Sequence, residues 1–254
     1  MVLQLDHFHL ALSIHAYTPR NNQLCGINEY GQGTYTAEGI TAIANALRVN
    51  GSLTKLSLAK NELKEEGTKA ICKALKQNTT LKELDISGGR SASNIGGPAG
   101  VKHVAKMLGV NGSLTALDLS FNYLKDKGVS AVCEAIQSNK ETKLSSLNMG
   151  NNNIGPVGAK SVAAMVVVTG SLMSLNLGHN QLCGLDEDGR GTYTADGITA
   201  IADALRVNGS LTSLDLSNNR DFLGQNPWAL LSLGPNPCEP KTLATAITCA
   251  RRAH

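Results

Sequence analysis

Three groups of residues in this chain of 254 have the types and spacing to do chemistry. The first is Leu185-Asp186-Glu187-Asp188-Gly189-Arg190-Gly191, which has the opening carboxylates of a calcium-binding loop. Calcium needs oxygen donors further along such a loop, yet counting from Asp186 the fifth position is Arg190 and the twelfth is Gly197. A matching run near the start has Asn28, Glu29 and Tyr30 at the three acid positions, so no metal is expected at either. His7 and His9 have the spacing of two ligands on one strand face and are read as part of an exposed terminal strand. Glycines gather at Gly31-Gln32-Gly33, at Gly189-Arg190-Gly191 and from Gly88 to Gly97. None of these runs completes a phosphate cradle, and no cofactor is expected.

The second group is the nucleophiles. Of six cysteines, Cys72 and Cys133 fall at helical positions beside apolar residues, and Cys25 and Cys183 occupy one site in two related stretches. This pattern predicts free thiols in a reducing intracellular compartment, with Cys238 and Cys249 as the one pair to test for a disulfide. Serines recur too regularly for one of them to be a catalytic nucleophile, and none has an obvious base beside it. The third group is four Asn-x-Ser/Thr acceptors for glycosylation, at Asn50, Asn78, Asn111 and Asn208. All four precede a strand at one position of a repeat, where a turn wants Asn and Gly for its own geometry.

The elements that hold these residues repeat. Leu114 to Leu124 reads Leu-Thr-Ala-Leu-Asp-Leu-Ser-Phe-Asn-Tyr-Leu, and its alternation Leu117-Asp118-Leu119 places two leucines on one face of a strand. Asn122 stands where a side chain can satisfy backbone groups that the bending chain leaves unpaired. The unit begins again at Leu53, Leu81, Leu144, Leu172 and Leu211, with Asn61, Asn152, Asn180 and Asn219 in the asparagine row and Gly89 breaking it. Between units runs a helical phrase, Gly128-Val129-Ser130-Ala131-Val132-Cys133-Glu134-Ala135-Ile136, with counterparts starting at Gly39, Gly67, Gly100, Gly158 and Gly197.

Strand, loop, helix and turn at this length resemble the ribonuclease-inhibitor-like class of leucine-rich repeats, found also in NOD-like receptors. The resemblance covers about residues 22–219 and implies an α/β solenoid, a horseshoe with a parallel concave sheet and convex helices. Residues 1–21 are then an N-terminal capping segment and 220–254 a Pro-rich C-terminal cap or tail. Leading leucines lie 28 residues apart from Leu53 to Leu81 but 39 apart from Leu172 to Leu211, and the excess falls at Cys183 to Thr194, between strand and helix, where it projects from one rim. The same insertion appears near the start: Asn22 to Leu53 matches Asn180 to Leu211 at 26 of 32 positions. Ile14 stands where Leu172 stands, and Tyr17 and Pro19 replace Leu175 and Leu177, as an edge strand tolerates.

With 23 basic and 20 acidic residues the net charge is +3, too balanced for a nucleic-acid partner. No run is long enough to span a membrane, and the start lacks the basic stretch of a signal peptide. Lys64, Lys69, Lys73 and Lys76 are read as a solvated helix face. The central concave row, Ser57, Asp85, Asp118, Asn148, Asn176 and Asp215, is small and polar and forms a secondary candidate surface. Interfaces depend on Tyr, Trp and Arg anchors. The primary partner-binding candidates are therefore Tyr30, Tyr35, Arg190 and Tyr193 on the rim insertions and Trp228, Leu230 and Leu231 on the tail. Asn226-Pro227-Trp228 resembles the caps of extracellular leucine-rich proteins, although Ala229 to Leu231 replace the Cys-x-Cys that follows there. The expectation is a non-enzymatic protein-binding scaffold, a subunit of a larger assembly. Two alternatives come from the resemblance: a GTPase-activating protein of the Ran type, and a repeat sensor fragment of a NOD-like receptor.

Overall fold

The computed structural model describes residues 16–17, 24–27, 32–89, 93–186 and 188–219. Seven short parallel strands form one sheet in chain order: β1 (Ala16–Tyr17), β2 (Lys55–Ser57), β3 (Glu83–Asp85), β4 (Ala116–Asp118), β5 (Ser146–Asn148), β6 (Ser174–Asn176) and β7 (Ser213–Asp215). Six helices connect them: α1 (Glu38–Val49), α2 (Lys64–Leu75), α3 (Gly97–Leu108), α4 (Lys125–Ser138), α5 (Pro156–Val168) and α6 (Asp196–Val207). The register aligns Leu56, Leu84, Leu117, Leu147, Leu175 and Leu214, and all six are buried. Tyr17 pairs with Leu56, so β1 adds an edge strand from within residues 1–21.

Each helix packs on the next, and its apolar stripe meets the strand leucines in a single core. The glycine near each helix start allows that approach: a Cβ on Gly100 would collide with the carbonyl of Ile95, and one on Gly197 with that of Leu182.

Two ladders of asparagine run along the solenoid. In the first, the side-chain oxygen of each buried asparagine accepts backbone N–H groups of the preceding repeat, as Asn122 Oδ1 does from Asn94 (2.9 Å) and Ile95 (3.1 Å), while its Nδ2 donates to Ile86 and Leu119 carbonyls. Asn152 and Asn180 repeat the arrangement. The expected break at Gly89 does not occur. Asn94, 1% exposed, takes the position, accepting from Asn61 and Leu63 N–H and donating to the Leu58 and Ile86 carbonyls. Five residues inserted after the strand move the asparagine from position 89 to 94.

The second ladder explains the glycosylation acceptors. Oδ1 of Asn78, Asn111 and Asn208 accepts the N–H groups two and three residues on, closing the turn into the next strand. Nδ2 of each donates backward to an otherwise orphaned carbonyl in the last turn of the previous helix: Leu47 (2.8 Å), Leu75 (2.7 Å) and Val166 (2.6 Å). Asn139 does the same to Leu108.

Candidate functional site: the rim after the strands

A buried ladder asparagine forces its two sequence neighbours outward. The chain achieves this by alternating conformation, and the flanking residues adopt the left-handed backbone: Phe121 (φ 57°), Tyr123 (53°), Asn151 (55°), Asn153 (54°), His179 (54°) and Asn218 (55°). Asparagine tolerates that region, whereas bulky side chains pay conformational strain there. Stacked repeat on repeat, these residues line a groove of about 720 Å³ together with Gln181, Asp186 and Asp188. Tyr123 is 39% exposed, and the Asn218 amide lies 3.0 Å from Nε2 of His179.

The insertion after β6 overhangs one end of this groove. An antiparallel bridge joins Leu185 to Gly191, with Gly184 (φ 81°) and Gly191 (φ 127°) in conformations that only glycine adopts readily. Oδ1 of Asp186 accepts the backbone N–H of Asp188 (3.0 Å) and Arg190 (2.8 Å), so this carboxylate closes its own turn. Arg190 is exposed and pairs with Asp188 at 3.0 Å. The first insertion is built alike, with Ile27 bridged to Gly33.

Tyr35 and Tyr193 are half-buried against the core. The Tyr35 hydroxyl donates to the Leu63 carbonyl (2.8 Å), and Nζ of Lys64 sits 4.7 Å above its ring; burial raises this phenol's pKa. Both rings thus hold their insertions to the scaffold. Tyr30, Trp228, Leu230 and Leu231 lie outside the described residues, as do Cys238 and Cys249.

On the concave face the expected row is present and its groups are engaged with one another. Asp85 accepts from the hydroxyls of Ser57 and Ser87, both at 2.7 Å; Asp118 accepts from the Ser120 hydroxyl (2.6 Å) and the Asn148 amide (2.9 Å). Asn148 and Asn176 take the N–H groups of Gly150 and Gly178, and Asp215 that of Ser217. The buried thiols are poor nucleophiles: desolvation pushes Cys25 up to about 11 and Cys72 and Cys133 up to about 12. Phe121, Tyr123 and His179 are among the groove-lining residues that sequence reasoning missed. The signal was available in Phe121-Asn122-Tyr123, where large side chains flank an inward asparagine.

Known proteins match this architecture. The pattern of the Leucine Rich repeat family matches residues 49–72, 77–90, 110–133 and 140–163, and a second Leucine Rich Repeat pattern matches 210–233. The chain is 33% identical over 162 residues to the NACHT, LRR and PYD domains-containing protein 9 of Bos taurus, covering 63% of this chain and 16% of that protein. It is 33% identical over 150 residues to the ribonuclease inhibitor of Mus musculus, covering 59% of this chain and 32% of that protein. The chain thus spans a third or less of these two curated relatives. Among solved structures, the tropomodulin C-terminal domain of Caenorhabditis elegans superposes with a TM-score of 0.50 at 12% identity, covering 66% of this chain and 92% of that one, a likeness of fold alone. Repeat pattern, asparagine ladder and relatives agree on a leucine-rich-repeat chain, similar to the ribonuclease-inhibitor-like, NOD-like-receptor-type class.

Proposed function

We propose that this chain is a non-enzymatic protein-binding scaffold, a component of a larger assembly in a reducing intracellular compartment, and that its partner seats in the rim groove. The observation that carries the proposal is the aromatic pair Phe121 and Tyr123, held in strained left-handed backbone at the edge of an amide-lined groove. Strain of this kind gathers where it serves a function, and aromatic side chains are the usual anchors of an interface. Arg190 at the insertion tip, and Tyr30, Trp228, Leu230 and Leu231 beyond the described residues, belong to the same proposal as further contacts. Tyr35 and Tyr193 would act by holding the insertions in place. Binding in place of catalysis fits the hydroxyls of Ser57 and Ser120 engaged by carboxylates and the thiols kept neutral by burial.

The test is affinity capture with mass spectrometry, comparing wild type with Phe121→Ala and Tyr123→Ala. Each variant is expected to lose the partner that wild type retains, with an unchanged circular dichroism spectrum. Retention by both, with loss in Asp118→Arg, would move the site to the concave sheet. A second reading, the repeat end of a NOD-like sensor, is favoured by the match to a NACHT, LRR and PYD protein. An immunoblot with antibody against the repeats would then detect a protein much larger than 26.6 kDa.

A further inference from the structure

Four lysines form a square on the convex side. Lys69 and Lys73 lie one turn apart on α2, and Lys102 and Lys106 one turn apart on α3. Counted from Gly67 and Gly100, the two pairs occupy the same positions on helices that pack together. All four are exposed, and none makes an ion pair with a described carboxylate. Like charges four residues apart repel along a helix, and Glu65 is placed to relieve them, since glutamate four residues before lysine is the favoured pairing. Its carboxylate instead crosses to His103 of α3, at 3.4 Å, and leaves Lys69 unmatched. The corresponding positions on α1 are Thr41 and Asn45, and on α4 Ser130 and Glu134, so acids stand at the borders of the square, Glu134 beyond α3 and Glu65 and Glu66 one turn before Lys69. The balance of the whole chain hides this concentration. Residues 53–113 hold ten Lys and Arg against five Asp and Glu, whereas 172–219 hold two against six.

We propose that the convex α2–α3 face is a second docking surface, separate from the rim groove, and that its occupant is an acidic polypeptide segment. Carboxylates one helical turn apart, roughly 6 Å, match the spacing of each lysine pair. Lysine meets them as single point charges on flexible stems. Neither helix carries Phe, Tyr or Trp, so the stacking platform that holds single-stranded nucleic acid is missing. Between the lysines the partly exposed residues are Ala70, Ala105 and His103, the last engaged by Glu65, and none offers a large apolar side chain for insertion into lipid.

The test uses the full chain and a fluorescein-labelled peptide with glutamate at every fourth residue of an alanine host, read by fluorescence anisotropy. Saturable binding is expected, weakening about tenfold as salt rises from about 50 to about 300 mM. Lys69→Glu with Lys102→Glu is expected to weaken it at least about tenfold, as the reversal of two contacts at such a surface does. Lys140→Glu with Lys143→Glu, exposed but off the square, and a glutamine version of the peptide serve as controls. Circular dichroism checks that the helices persist. The proposal is overturned by absent binding, by equal loss in the two double variants, or by tighter competition from oligothymidylate or phosphatidylserine vesicles at matched charge. It is also overturned by sedimentation showing that the square closes a dimer of this chain.

Discussion

At the scale of the residue, Phe121 is where local preference and the observed backbone disagree. Its counterpart one repeat on is Asn151, which takes the same left-handed angle, 55° against 57°, with a side chain suited to it. Phe121→Asn is therefore expected to raise stability by about 1 kcal/mol in urea denaturation, since a left-handed residue costs roughly 1–2 kcal/mol for most side chains. The same variant is expected to lose partner capture. A fall in stability would show that Phe121 is held by packing and is no ligand anchor. The asparagines at 61, 122, 152, 180 and 219 were legible because a fixed distance from the strand leucines marks them. Asn94 was not, because five inserted residues separate it from Ile86, and only the hydrogen bonds from Asn61 and Leu63 identify it. Phe121 and Tyr123 were missed for another reason. Strand alternation predicts which side chains face out only as far as the strand runs, and beyond Asp118 direction depends on backbone angles that Phe and Tyr do not advertise.

At the scale of the element, helices here are capped across repeats. α5 begins at Pro156 with no acid in its first turn, and its N-terminus has no side-chain cap of its own. Asp126, in the first turn of α4, supplies one: its Oδ1 accepts the backbone N–H of Gly155 (2.6 Å) and Gly158 (2.9 Å). A negative charge there also meets the positive end of the helix dipole. Asp126→Ala is expected to cost about 1–2 kcal/mol, the range for a lost cap, and Asp126→Asn less, because the acceptor survives. Hydrogen exchange should localise the loss to the start of α5. Equal protection there in wild type and Asp126→Ala would show that the cap contributes nothing. Sequence could not show this bond, since its partners are 29 and 32 residues apart and only the stacking of repeats brings them together. The two insertions were legible for the opposite reason, that one chain contains both copies. Their tips are where they diverge. Asn28, Tyr30 and Gln32 correspond to Asp186, Asp188 and Arg190 and account for three of the six differences, while the glycines at 26, 33, 184 and 191 keep one shape. A preserved frame with altered tips is what loops on a rigid scaffold permit.

At the scale of the whole molecule, the second asparagine ladder couples neighbouring repeats. Stability in a solenoid is a sum of neighbour contacts, and Asn78, Asn111 and Asn208 each join one repeat to the one before it. Their exposures are 7%, 6% and 8%, and the amide nitrogen that would carry a glycan already donates to a helix carbonyl. A glycan replaces one of the two hydrogens on that same nitrogen, and at a buried position packed against the preceding helix there is no room for the sugar. Glycosylation meets the chain as it enters the secretory pathway, before folding, when all of these acceptors are accessible. Oligosaccharide transfer is therefore expected to block folding of the solenoid. Given an added signal sequence, the chain is expected to emerge glycosylated at these positions, aggregated and sensitive to protease. Tunicamycin, which blocks glycan addition, is expected to restore a protease-resistant fold from the same message. A soluble, protease-resistant product with glycans on Asn78, Asn111 and Asn208 would contradict this, because three buried repeat junctions would then have admitted a sugar without consequence.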